Sequence, residues 1–255
     1  MEVKKEIKEE YQILSLACKT ARLLLENGSE VHRIEQISKK ICEYYGYSCQ
    51  CFASLTCVVI TLENKEGEIF SLVERIENRN TNLNKITRIS KLVEEISSHS
   101  YFSFKEELQD IQEEVTYSPL QVLLAHMIGA AFFVFLFQGN HQEIFVSGLT
   151  GFCIAFTAFI SQKIKLESLF VNLLQGMVCS SIPCLFYSLG WIQNIDISII
   201  SSLMIMVPGV AFINAIRDLF SGDLVTAQSR LLEVALIGMT LATGSGIALK
   251  FFYIS

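Results

Sequence analysis

Met204–Arg230 reads MIMVPGVAFINAIRDLFSGDLVTAQSR, an apolar run broken by Pro208-Gly209 that leads into Arg217, Asp218, Asp223 and Arg230. In lipid a proline costs a backbone hydrogen bond and ionisable side chains are expensive, so this pattern predicts a membrane helix with an interruption and a charged exit, of the kind that lines an enclosed or watered path. Pro208 lacks an amide hydrogen and Gly209 relaxes the backbone, so 210–220 is expected as a half-helix starting at membrane depth. Its unpaired N–H groups and partial positive charge suit a carboxylate. Asn214 and Asp218, one turn apart, share a face that can hydrogen-bond a polar ligand. Arg217 offers a planar fork to a carboxylate or to an acidic lipid headgroup. Asp218, Asp223 and Glu233 are candidate proton carriers, since burial raises a carboxylate's pKa. The plainer alternative is that these charges are solvated or paired at a cytoplasmic helix end. Arg230 and Glu233, three apart, suit a structural salt bridge.

Working outward, charge divides the 255 residues sharply: 35 of the 46 Asp, Glu, Lys and Arg residues fall in 1–118, and 11 follow. The fold class expected is therefore a soluble α+β N-terminal domain with a connector over 1–118, followed by an all-α polytopic membrane domain over 119–255. Five transmembrane helices are expected at about 119–138, 144–160, 169–190, 197–216 and 231–253, the second being short. Lys163, Lys165, Arg217 and Arg230 occupy two connections, whereas GNHQE and WIQNID hold no Lys or Arg. That bias places the N-terminus in the cytoplasm and, with an odd number of spans, the C-terminus outside. Pro183, after Ser180-Ser181, predicts a second interruption. Gly238, Ala242 and Gly246 form a smooth stripe, with Ser147 and Gly151 a weaker one, suited to packing within the chain or between subunits. His126 is a functional candidate because it falls inside a span, and His141 is expected in an outer loop.

In the N-terminal half, apolar spacing predicts a helix over 11–27, ended by Asn27-Gly28 with positive φ at Gly28. A second helix runs to about 45, capped by Ser29 and carrying Arg33 and Glu35 on its surface. The stretch 48–62 and the run 68–75 predict a two-stranded hairpin, then a helix over 83–97 and a connector over 98–117 near the membrane surface. The eight cysteines lack zinc-type pairing and are expected as reduced thiols, so no metal or cofactor is implied. The sequence opens without a secretory pattern. No basic patch points to nucleic acid. Neither Gly-x-Ser-x-Gly, His-Glu-x-x-His nor a Cys/His ligand set supports an anchored hydrolase. A membrane-anchored metabolite sensor is a further alternative, but the broken span argues for passage through the membrane rather than anchoring.

LLLENGSEVHRIEQISKKICEYYG (residues 23–46), the strand end LVERI, and VPGVAFINAIRDLFSGDLVTAQSRLLEVAL (residues 207–236) together resemble the threonine/serine exporter, or ThrE-like, family, in order and over most of the chain. The length resembles its shorter, split, YjjP-like type. The resemblance implies a secondary exporter subunit in a bacterial plasma membrane, completed by a small YjjB-like membrane protein that supplies further spans. It implies serine and threonine as substrates of the fused type and succinate for a split pair. Gly28, Arg33, Glu35 and Arg75 fall on the family's soluble motif. Pro208, Gly209, Asn214, Arg217, Asp218, Gly222, Asp223 and Arg230 fall on its membrane motif. His32 stands where that pattern has an aromatic residue.

Overall fold

The computed structural model describes residues 3–77, 79–115 and 117–254 and divides into two compact units. The first comprises 1–114 together with 210–231; the second comprises 115–209 together with 232–255.

The first unit begins with α1 (Val3–Glu26) and α2 (Val31–Tyr44). Between them Gly28 adopts φ +87°, its N–H bonds the Leu25 carbonyl and the Ser29 N–H bonds the Leu24 carbonyl. This is a Schellman ending, with glycine where the left-handed residue is needed. Ser29 is thereby drawn into the end of α1, and Glu30 takes the N-cap position of α2 that the sequence assigns to Ser29. Ile13, Leu14, Ala17, Leu24, Ile34 and Ile41 are buried, the stripes that apolar spacing predicts.

The stretch 48–62, read as one strand, is two: β1 (Ser48–Ala53) and β2 (Cys57–Glu63), joined by a turn in which the Ser54 N–H bonds the Cys57 carbonyl. With β3 (Ile69–Arg75) they form an antiparallel sheet in the order β1-β2-β3. The Ser54-Leu55-Thr56 turn holds no Gly, Pro, Asn or Asp, so the usual punctuation is missing. Val58, Ile60 and Leu62 alternate into the helical layer. The third helix, α3 (Leu83–Glu94), stops short of 97 in a 3-10 turn at Ile96–Ser98. The predicted connector is largely α4 (Tyr101–Glu113), whose Phe104, Leu108 and Ile111 join the core. Cysteines 18, 42 and 49 are buried and free; burial pushes the Cys18 and Cys51 thiols up to about 12, which keeps them protonated.

The second unit holds α5 (Pro119–Leu136), α6 (His141–Ile164), α7 (Ser168–Ser188), α8 (Ile195–Leu203) and most of α10 (Leu224–Ile254). Among the described residues four helices, α5, α6, α7 and α10, are long and apolar enough to cross a membrane. The second predicted span grows to 24 residues because His141, Gln142 and Glu143, expected in a loop, open the helix and Ser161–Ile164 extend its end. The fifth begins earlier, at Leu224. The fourth is not one helix: α8 has nine residues, a tightened turn follows, and α9 (Gly209–Phe220) has 12. Pro183 does not interrupt α7, which runs through it while the Ser181 hydroxyl bonds back to the Met177 carbonyl.

Close helix crossings use glycines other than the predicted α10 stripe. A Cβ on Gly176 would meet the Leu241 carbonyl and one on Gly244 the Leu173 carbonyl, so α7 and α10 approach backbone to backbone. The α10 face that packs carries Leu241, Gly244, Ser245 and Ala248. Gly238 and Gly246 point to a different side, where an added Cβ meets nothing within 4 Å. Gly151 does pack, against the His126 carbonyl and Ala130 of α5.

Candidate functional site

The first unit brings together two stretches nearly two hundred residues apart in sequence. Gly28, Ser29 and Glu30 lead from α1 into Val31, the first residue of α2, and each of the four is gripped by a side chain from 214–230. The Asn214 amide donates to the Gly28 carbonyl at 3.0 Å, and Arg230 Nη2 donates to the Ser29 carbonyl at 3.3 Å. Arg217 pairs with the Glu30 carboxylate. Asp218 Oδ1 accepts from the Val31 N–H at 3.3 Å.

Helix capping explains the last contact. Val31 opens α2, where amides lack intrahelical acceptors, and Glu30 makes no side-chain cap bond. A carboxylate at a helix start satisfies such a donor and meets the positive end of the helix dipole. Here it comes from α9, 187 residues downstream.

Asp218 is 1% exposed and Arg230 5%, and Arg230 Nε lies 3.3 Å from Asp218 Oδ2. That contact is an ion pair without hydrogen-bond alignment. Burial pushes the Asp218 carboxyl above its ordinary range; Arg230 and the Val31 amide oppose the shift, while Asp223 and Glu30 add to it. Asp223 follows Gly222, which takes φ +89°, and its N–H bonds the Asp218 carbonyl, so this turn joins α9 to α10.

The remaining sequence candidates are placed as follows. Glu35 accepts from the Ala53 N–H at 3.3 Å, and its carboxyl is raised by burial first, with the Asp223 carboxylate adding to the shift. Arg33 donates to the Ser90 hydroxyl of α3 at 2.8 Å. Arg75 is exposed at the end of β3, in register with Cys57. His32 is exposed beside Gln36. In the second unit Pro208 and Gly209 follow the tightened turn, with the Gly209 N–H on the Val207 carbonyl at 2.8 Å. Glu233 is half-buried on α10, and His126 Nδ1 faces the Val122 carbonyl.

One acidic residue escaped the sequence reading. Glu143, in the first turn of α6, has no solvent exposure. Its Oε1 accepts from the Asn194 backbone N–H at 3.2 Å and the Asn194 amide at 3.3 Å, and Oε2 accepts from the Asn140 N–H. The signal was present: an Asn followed three residues later by Glu before an apolar run is a capping pattern.

Known proteins resemble this chain over most of its length. The profile of the family described as "Putative threonine/serine exporter" matches residues 15–252. The chain is 25% identical over 252 residues to a "Probable succinate transporter subunit YjjP" of Klebsiella aerogenes, covering 94% of this chain and 93% of that one. It is 24% identical to the Escherichia coli protein of the same description, covering 93% of each. Against a "Threonine/serine exporter" of Corynebacterium glutamicum the identity is 23% over 93% of this chain, which spans only 51% of that longer protein. No solved structure matches. The motif pairs that meet at Gly28–Val31 both lie inside the matched range, and the chain belongs to the threonine/serine exporter family of membrane transporters.

Proposed function

We propose that this chain is a subunit of a secondary exporter that moves small carboxylate-bearing metabolites, serine and threonine or succinate, out of a bacterial cell. A small YjjB-like membrane protein completes it. The observation that carries this reading is the broken segment: α8 ends at Leu203, Pro208 blocks helix continuation, and α9 begins at Gly209. A pure anchor has no need of a break, and a fresh helix start offers amide donors to a carboxylate. The relatives' names support the substrate class, and the word "subunit" in two of them supports a partner.

In this reading 1–118 is a cytosolic domain with its connector, 119–255 is the membrane domain, and α8 with α9 up to about residue 216 makes the fourth of five crossings, with Asp218 beyond its cytoplasmic end. The N-terminus is cytoplasmic and the C-terminus outside, in keeping with Lys163, Lys165, Arg217 and Arg230. The proton-motive force drives export, with Asp218, Asp223 or Glu233 carrying the proton. Pro208 and Gly209 present the substrate-binding backbone. Asn214, Arg217, Asp218, Asp223 and Arg230 serve as a gate, supported by the grip of four of them on Gly28–Val31. Arg33 and Glu35 fix the soluble domain.

The test is efflux of serine, threonine and succinate from cells expressing this chain with the small partner, and each protein alone. Efflux of one of these substrates only from the pair is expected. Efflux from this chain alone counts against the split arrangement, and no efflux of any of the three from the pair removes the substrate assignment. Asp218→Asn with unchanged proton-driven efflux removes Asp218 as a carrier.

A further inference from the structure

Along the line where α8 packs on α6, the second unit buries oxygen atoms and negative charge with little to balance them. Two rungs join the helices: Glu143 accepts from Asn194, and one turn further along each helix the Ser147 hydroxyl donates to the Ser198 carbonyl at 3.4 Å. The next turn of α8 supplies Ser201 and Ser202, on the face that Ser198 shares, and all three are wholly buried. Ser202 Oγ donates to the Ser198 carbonyl at 2.8 Å. The Ser198 and Ser201 hydroxyl oxygens have no hydrogen-bond partner. Glu143 is met by three N–H groups, and no Lys, Arg or His ion pair to it occurs among the described residues.

Buried hydroxyls left unpaired are costly, and so is a buried carboxylate without a cation. One ligand relieves both. We propose that the α6–α8 line binds a monovalent cation of sodium's size, coordinated by the Ser198 and Ser201 hydroxyl oxygens and held in the field of Glu143. A hydroxyl oxygen gives a lone pair to a cation while its proton turns elsewhere, so both orphaned oxygens are used. The carbonyl end of α8, with its partial negative charge, lies just beyond. A single carboxylate is too few for a hard divalent ion, which gathers several. The ion steadies the last helical turn of α8 before the Val207–Pro208 break. This proposal stands apart from the exporter reading, because it is tested by binding on the purified chain without transport.

The experiment uses the full chain in detergent micelles. Binding of radioactive sodium is measured, together with thermal unfolding in sodium, potassium and choline chloride at equal ionic strength. Saturable binding and a higher unfolding midpoint in sodium than in choline chloride are expected. Ser198→Ala and Ser201→Ala should each weaken sodium binding by about tenfold or more, a change of ~1.4 kcal/mol or greater, while unfolding in choline chloride no earlier than the parent. An equal parent midpoint in sodium and choline chloride overturns the proposal without any variant, so a variant that fails to fold leaves it decidable. Serine variants that shift the midpoint equally in every salt also overturn it, since the hydroxyls then bind water alone.

Discussion

The first unit buries leucine, isoleucine and alanine from α1, α2 and the sheet, with its charges largely outside. The second buries Ser147, Thr150, Ser180, Ser198 and Glu143 and leaves Phe132, Phe135, Leu136 and Phe251 exposed. Water rewards the first arrangement, because the gain is apolar area removed from it. Lipid offers no such gain, so helices in it associate through small residues, close backbone contact and hydrogen bonds. The difference teaches that α9 is a hybrid. It buries Asn214 and Asp218 in the first unit while Phe212, Ile213 and Phe220 face outward. Its packing relies on hydrogen bonds and a buried ion pair inside a unit otherwise closed by apolar burial.

Breaking that hybrid should have the largest effect. Arg230→Met strands the buried Asp218 charge and is expected to destabilise the chain by about 3–5 kcal/mol, read as the unfolding midpoint in detergent; adding Asp218→Asn should recover part of the loss. A loss below ~1 kcal/mol would show the pair to be solvated. Next comes Gly244→Ala, whose methyl would run into the Leu173 carbonyl; a cost of about 1–3 kcal/mol is expected because backbone must shift. In the first unit Gly28→Ala forces an L side chain to φ +87°, with its Cβ 3.1 Å from the Asn80 carbonyl oxygen, and should cost roughly 1–2 kcal/mol.

A smaller effect reads the first unit by pH. Asp218 and Glu35 both have folded pKa values above their ordinary 3.8 and 4.5. A raised carboxyl binds its proton more tightly when folded, so its contribution is present below the ordinary value and is lost as pH rises through the folded value. Stability should therefore fall with rising pH above those ordinary values, and Asp218→Asn and Glu35→Gln should each flatten the decline. Unchanged slopes would place both carboxyls in solvent. The least effect is expected at Gly238→Ala, within about 0.5 kcal/mol of the parent, since nothing lies within 4 Å of the added methyl. A larger change would mean that this face of α10 packs on something else in the micelle.

Much of this was legible in sequence where a single period dominates. The α1–α2 pair, the start of α9 and the long apolar helices follow from spacing, Gly28 and Pro208. The turn at Ser54–Thr56 was not, because no punctuating residue marks it. Pro183 misled because a proline inside a packed membrane helix need not break it. The α10 stripe reads as packing within the chain or between subunits; within the chain the other side of that helix closes, because both sides carry small residues and only the packed neighbour shows which one is used. At the candidate site, residue types and shared faces were readable, but the acceptors were not. That Asp218 reaches the Val31 amide is a tertiary fact with no local trace.

The cap on α2 has a consequence for how the chain is made. A ribosome delivers Val31 long before Asp218, and at roughly 5–20 residues per second the 187 residues between them take about 10–40 s. For that interval the nascent N-terminal unit exists without its cap and without α9. Its completion therefore waits on insertion of the intervening helices, so a failed insertion leaves the unit open to quality-control proteases.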